Sequence, residues 1–124
     1  MDDILGGVTL SVQEKSNLIA ASGTTLEAEI DRYYRFDTAV TELNVVLPII
    51  ENPSWFDGFM IMLTTGTDPN INFISNKNVY AQSGSTFESN TTYELNLVYN
   101  GNSWILATSK ISMVNIGTQG SENE

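Results

Sequence analysis

Short segments in which apolar and polar residues alternate fill residues 59 to 111 of this chain. Turn dipeptides such as Thr65-Gly66, Ser83-Gly84 and Asn100-Gly101 separate these segments, and most of the segments carry an aromatic residue. A period of two residues is typical of strands that bury one face and expose the other. The sequence therefore predicts an all-β domain.

The clearest predicted element is a hairpin. Residues 92 to 98 alternate, Asn100-Gly101 suits a type I′ turn, and residues 104 to 108 alternate again. Further strands are predicted at residues 26 to 31, at 39 to 47 and at 59 to 63, and a short one follows a predicted turn at residues 65 to 69.

The connection over residues 48 to 57 contains Pro48 and Pro53 and is long enough to cross between two sheets. This favours an antiparallel β-sandwich of jelly-roll type, with a short N-terminal arm, over a simple meander. We divide the chain into an arm at residues 1–22, a sandwich at 23–116 and a flexible tail at 117–124.

Within the arm, alternation over residues 8 to 12 favours a strand, whereas Ser11 and Glu14 resemble a helix capping box. Both interpretations stay open.

Charge excludes several classes of partner. Fifteen acidic residues against five basic ones give a net charge of −10, which repels phosphate backbones and anionic lipid headgroups. We therefore expect neither a nucleic-acid nor a membrane partner. Asp2 and Asp3 occupy the place where an export signal carries positive charge, so no such signal is predicted.

Candidates for catalysis are few, because the chain has no histidine and no cysteine. The usual general base, thiolate nucleophile and zinc ligands are therefore absent. Asp57 and Asp68 flank the strand at 59 to 63 and suit a glycosidase pair or a calcium site, but carboxylates in such loops more often cap turns. We predict no enzymatic activity, no cofactor and no metal.

Two groups of residues are candidates for binding. Trp55 and Tyr80 are candidates for binding a ligand by stacking on sugar rings, although packing in the core or at an interface is the commoner role of such aromatic residues. Met60, Met62 and Val98 are apolar where a strand with one solvated face would be polar, so we predict that they form an oligomer interface.

A succession of motifs carries a resemblance to a known group of proteins. The motifs are Tyr33-Tyr34-Arg35-Phe36, a Thr-Gly-x-x-Pro turn at 65 to 69, Phe-Glu-x-Asn-x-x-Tyr-Glu at 87 to 94 and Asn-Gly-x-x-Trp at 100 to 104. In this order they resemble small β domains of tailed-bacteriophage structural proteins, of the head fibre, capsid decoration or tail appendage type. The resemblance covers about residues 25 to 112.

The resemblance implies a non-enzymatic virion protein that is assembled in the cytoplasm of the bacterial host. It implies a homo-oligomer, with a trimer preferred, and a partner in the phage capsid or another virion protein. Neutral polar loops would then face a host surface glycan or coat the particle. The alternative is a carbohydrate- or receptor-binding module at a phage tail or a cell surface.

Overall fold

The computed structural model describes residues 17–52, 57–82 and 86–118. Within these ranges the chain forms eight strands in one mixed sheet and no helix, so the all-β prediction is confirmed. The strands are β1 (Leu18–Ala21), β2 (Thr25–Glu27), β3 (Tyr33–Phe36), β4 (Val40–Val46), β5 (Asp57–Ile74), β6 (Val79–Ala81), β7 (Thr92–Tyr99) and β8 (Trp104–Lys110).

The long strand β5 belongs to two parts of the sheet. Its first half lies between β3 and β7 in a path of order β1-β3-β5-β7-β8-β6, which we call the six-strand part. Its second half pairs with β4, and β4 pairs with β2; these form the three-strand part. A single strand therefore joins all the others.

Five of the seven strand pairings are parallel, so the predicted antiparallel arrangement is wrong for most of the sheet. The cause lies in the path of the chain. From β1 to β5 successive strands alternate between the six-strand and the three-strand part. Strands that are neighbours in one part are therefore separated by a strand in the other part, and they run in the same direction.

Residues 65–69 do not form the predicted turn, and no separate strand follows them. β5 continues through this segment to Ile74 and changes partners there. Thr65 is buried at the change, where its hydroxyl donates to the Glu88 carbonyl at 2.5 Å and accepts from the Thr91 N–H at 2.9 Å. Asp68 has a φ of 52°, so the backbone of β5 is locally irregular there, but the strand continues past it.

The core is built from the alternating apolar residues of both parts of the sheet. Its largest fully buried side chains include Trp104, Tyr99, Leu43, Ile61, Leu63, Leu95 and Leu97. The Phe59 and Trp104 rings meet edge to face with centroids 5.8 Å apart. Such aromatic pairs contribute roughly 0.5–1.5 kcal/mol beyond the area that they bury.

Two buried tyrosines hold the loops that precede their strands. The Tyr34 hydroxyl accepts a hydrogen bond from the Glu29 N–H at 2.8 Å, and the Tyr93 hydroxyl accepts one from the Glu88 N–H at 2.8 Å. In both loops the bonded residues are five positions apart and enclose a residue with positive φ, Asp31 or Asn90. A tyrosine that pairs an otherwise free backbone donor fixes how the loop enters the strand.

The predicted hairpin is confirmed, but its turn is not of type I′. β7 and β8 pair antiparallel from Tyr99 opposite Trp104 onward, and four residues connect them. Gly101 has a positive φ of 94°, whereas Asn100 does not have one. Instead, the Asn100 side-chain oxygen accepts from the N–H groups of Asn102 and Ser103 at 3.0 and 2.9 Å, which closes the loop.

The other strand predictions differ from the structure in length. The strand expected at 39 to 47 is present as β4. The strand expected from residue 26 to 31 ends at Glu27, because the chain turns at Asp31 with a φ of 61°. β1 lies inside the segment that we predicted as an arm and pairs with β3. The alternative interpretations of residues 8 to 12 lie outside the described residues.

We expect Gly66→Ala to destabilise the chain by about 1–3 kcal/mol. Gly66 does not need a positive φ, so the cost is purely steric: a Cβ there would lie 2.5 Å from the Cγ2 methyl of Thr41. Thr41→Ser removes that methyl group and should restore most of the loss in the double variant. The measurement is the free energy of unfolding in urea. Equal losses with and without Thr41→Ser would contradict this close approach of β4 and β5.

Candidate functional site

The two faces of the six-strand part have different roles. One face carries Phe59, Ile61 and Leu63 of β5 into the core. The opposite face carries Met60 and Met62, and we call it the methionine face. The strand registers assign to this face Leu18, Ala20, Tyr33, Arg35, Met60, Met62, Tyr80, Glu94, Asn96, Val98, Ile105, Ala107 and Ser109.

The residues predicted to form an interface lie together on this face. Met60 and Met62 are two residues apart on β5, and Val98 is on the adjacent β7 opposite Gly58. All three side chains are partly exposed. Their prediction as an oligomer interface remains a hypothesis, but they share one continuous surface.

Tyr80 is part of the same surface. It lies on β6 opposite Ile105, and Ile105 lies opposite Val98, so the three form a row across β6, β8 and β7. The Tyr80 side chain is 54% exposed. The other predicted ligand-binding residue, Trp55, lies outside the described residues.

Sequence reasoning missed Leu18, Tyr33 and Ile105 as members of this surface. Ile105 could have been found, because it alternates with Trp104 and Leu106 in the predicted hairpin. Leu18 and Tyr33 could not, because they reach the surface only through parallel pairing with β5. A parallel register has no tight turn in the sequence to indicate it.

The methionine face is nearly free of charge. Among its positions given above, Arg35 and Glu94 are the charged residues, and they lie on either side of Met62 in the register. Glu94 accepts a hydrogen bond from the Tyr33 hydroxyl at 2.8 Å, and Arg35 pairs with Asp37 at 3.4 Å. Arg35, Asp37 and Glu94 together carry a formal charge of −1, so this surface bears little of the net charge of −10.

The exposed side of the three-strand part is polar instead. It carries the pairs Glu42 with Asn70 and Asn44 with Asn72, and Thr25 lies beside Asn44. The Asn72 side-chain amide donates to the Asn44 side-chain oxygen at 3.2 Å. This side also carries Val46 and Ile74, and Ile74 is 50% exposed, but it is richer in amides and carboxylates than the methionine face.

Two shallow grooves cross the methionine face. The first has a volume of about 380 Å³ and is lined by β1 and β3 residues together with Met62. The second has a volume of about 350 Å³ and is lined by Val98, Ile105 and Ala107, with the amides of Gln82 and Asn96. Both are open depressions between side chains.

Asp57 and Asp68 are too far apart to act as a glycosidase pair. Asp57 lies opposite Tyr99 and Thr64 lies opposite Thr92, so that stretch of β5 alone spans about 23 Å at a rise of about 3.3 Å per residue. Asp68 lies beyond it, with its N–H donating to the Ser89 hydroxyl oxygen. Paired glycosidase carboxylates are about 5 to 9.5 Å apart. The same separation argues against a shared calcium ion.

Two further features concern metals and membranes. In the described ranges, no three acidic, histidine or cysteine side chains are grouped as a metal ion would require. The described residues also contain no helix of the length and apolar character that crosses a bilayer.

Burial and the hydrogen bond to Glu94 raise the pKa of Tyr33 above its ordinary value of 10.0, and Arg35 opposes this shift. Because the neutral hydroxyl is the form that donates to the carboxylate, ionisation would place two negative charges side by side. The protonated tyrosine therefore keeps the centre of the methionine face intact at neutral pH.

Comparison of the chain with known protein families, curated proteins and solved structures finds no significant match.

We expect Tyr33→Phe to reduce the loss of stability at alkaline pH. Since the folded pKa is raised, the stabilisation from Tyr33 is complete below pH 10 and is lost as the pH rises through the folded pKa. The measurement is the urea unfolding midpoint at pH values of about 8 to 11, with Tyr80→Phe as the matched control. An identical alkaline decline in both variants would contradict the coupling between Tyr33 and Glu94.

Proposed function

We propose that this protein is a non-enzymatic structural protein of a bacteriophage virion, of the head fibre or capsid decoration type, whose copies associate through the methionine face. The observation that carries this proposal is a largely apolar surface with few charges on a strongly acidic chain. The motif succession at residues 33–36, 65–69, 87–94 and 100–104 supports the virion assignment, as a resemblance in sequence.

Electrostatics favours this face over the exposed side of the three-strand part for self-association. Two copies that each carry a charge of −10 repel one another, and the repulsion is greatest where carboxylates meet. On the methionine face Arg35 is paired with Asp37 and Glu94 is hydrogen-bonded to Tyr33. Copies can therefore approach here without bringing unpaired carboxylates together.

Apolar burial supplies the attraction. Leu18, Met60, Met62, Val98 and Ile105 all remain partly or largely exposed in the single chain. Complete burial of a side chain of this size contributes about 1.5–3 kcal/mol. Association would add the share of that free energy that corresponds to the area still exposed in the single chain. Methionine also adapts its shape to an opposing surface, which suits contacts between identical sheets.

For the fold, we propose that the six-strand and three-strand parts face one another as the two layers of a β-sandwich. Leu43 and Val45 of β4 belong to the same buried cluster as Phe59 and Trp104 of the six-strand part, which supports two layers with a shared core. In an assembly built on the methionine face, the amide surface of the three-strand part would then point outward.

We propose that the N-terminal residues before β1 attach the protein to the virion. Deleting residues 1–16 leaves β1 in place, because β1 begins at Leu18. The shortened chain should keep its oligomeric mass and lose binding to particles of the phage that encodes it. Unchanged binding to particles would contradict attachment by these residues.

Self-association is tested by the solution mass from light scattering coupled to size exclusion. We expect the full chain to form an oligomer, preferably a trimer of three 13.6 kDa copies. Met60→Lys should shift it to monomer, because an ammonium group would be buried without a partner. The matched control is Asn70→Lys on the same strand, which lies opposite Glu42 and should leave the mass unchanged. A wild-type monomer, or equal effects of both substitutions, would contradict the proposal.

A carbohydrate-binding module is the second candidate, and one observation favours it. Tyr80 presents an exposed ring in the row that includes Ile105 and Val98, beside a groove that also holds the Gln82 and Asn96 amides. An aromatic face with nearby amides is suited to a sugar ring, because the ring covers its apolar side and the amides bond its hydroxyls.

The glycan candidate is tested by binding to an array of bacterial surface glycans. If it is correct, the chain binds a defined set, and Tyr80→Ala reduces binding at least about tenfold. Tyr80→Phe serves as the control, because it keeps the aromatic face. An array without binding, or binding that Tyr80→Ala does not change, would remove this candidate.

A further inference from the structure

The segment after β8 carries an unusual concentration of exposed apolar side chains. Residues 111–118 contain no charged residue, although the chain as a whole is strongly acidic. Met113, Val114 and Ile116 are 70%, 69% and 94% exposed. Single exposed apolar residues are ordinary on protein surfaces, but three in one neutral segment of eight residues indicate a contact surface.

A local hydrogen bond shapes this segment. The Asn115 side-chain oxygen accepts from the Gly117 N–H at 2.8 Å, which forms a tight turn with Ile116 at its centre. The turn therefore presents Ile116 as a projecting apolar side chain. A contact residue held in its exposed position before binding loses less conformational entropy when a partner covers it.

Met113 connects this turn to the methionine face. It lines a depression together with Met62, Thr64 and Thr92, and Met62 belongs to that face. The adjacent groove of about 380 Å³ is lined by Leu18, Ala20, Tyr33 and Met62, with Arg35 and Asp37 at its rim. Arg35, Asp37 and Met62 line both depressions, so the turn and the groove belong to one continuous surface.

We propose that Ile116 of one copy inserts into the groove between β1, β3 and Met62 of a second copy. This inference rests on the proposed self-association and specifies its contact. Charge supports the choice of occupant: the segment is neutral, and the Arg35–Asp37 ion pair at the rim is balanced internally. A neutral apolar segment can enter this groove without leaving a buried charge unpaired.

The geometry of the contact determines the kind of assembly. The inserting residue and the receiving groove are different parts of one continuous surface. Two copies can exchange Ile116 reciprocally about a two-fold axis, which gives an isologous dimer. If each copy instead gives Ile116 to one neighbour and receives it from another, the contact is heterologous and closes into a ring such as a trimer or continues as a filament.

The absence of native cysteine allows a direct test in the full chain. Two single variants, Ile116→Cys and Ala20→Cys, are prepared with different affinity tags, mixed and treated with a mild oxidant. We expect a disulfide-linked pair that carries both tags. Ala20 and Ile116 are both exposed, so neither variant should disturb folding. The matched control pairs Ile116→Cys with Asn70→Cys, which is exposed on the polar side of the sheet and should give no linked pair.

The outcomes separate this inference from the proposed function. An oligomer without a preferred link between positions 116 and 20 would overturn the inference and leave association through the methionine face standing. In a chain that carries both Ile116→Cys and Ala20→Cys, a link that forms only within that chain would also overturn it, because the occupant would then be the chain's own segment. A monomeric wild type would overturn both proposals.

A second measurement uses no cross-link. Ile116→Asp should raise the dissociation constant for self-association at least about tenfold, because a carboxylate would replace the inserted side chain. Thr118→Asp adds the same charge two residues later and should have a much smaller effect. Equal effects of the two substitutions would assign the change to net charge and contradict insertion of Ile116.

Discussion

The change of strand partners along β5 at residues 65–69 determines how the other strands are arranged. There β5 leaves β3 and β7 and becomes the partner of β4. At this point the buried Thr65 hydroxyl bonds the loop before β7, and Gly66 lies close to Thr41 of β4. A larger residue at position 66 would push against β4 and so strain the core that the two parts of the sheet share.

The alternation of the chain between the two parts explains why their surfaces differ. Because successive strands alternate between the parts, β1, β3 and β5 pair in parallel. Their apolar residues that do not enter the core lie together on the methionine face. β2, β4 and the end of β5 stack in the same way with threonine, asparagine and glutamate exposed. A chain with 41% hydrophobic residues and a charge of −10 thus exposes one mainly apolar surface and one mainly polar surface.

Local features of the fold could be predicted from the sequence, and long-range ones could not. The β7–β8 hairpin and the strand β4 follow from alternation and from turn residues close in sequence. The parallel pairing of Tyr33 with Met60 joins positions 27 residues apart, and nothing near either residue indicates it. Met60, Met62 and Val98 could be proposed as an interface from their residue type alone. That Tyr80 and Leu18 lie on the same face could be learned only from the strand registers. The separation of Asp57 from Asp68 also depended on knowing that one strand contains both.

The central claim is that copies of this chain cover one another's methionine face, and methionine oxidation measures that cover directly. Peroxide converts an accessible methionine to its sulfoxide at a rate that depends on solvent access, and mass spectrometry follows each site separately. The account predicts that oxidation of Met60 and Met62 slows as the protein concentration rises through the range in which the oligomer forms, while a methionine peptide in the same solution reacts at a constant rate. Oxidation rates of Met60 and Met62 that stay constant while the mass of the oligomer rises with concentration would contradict this claim.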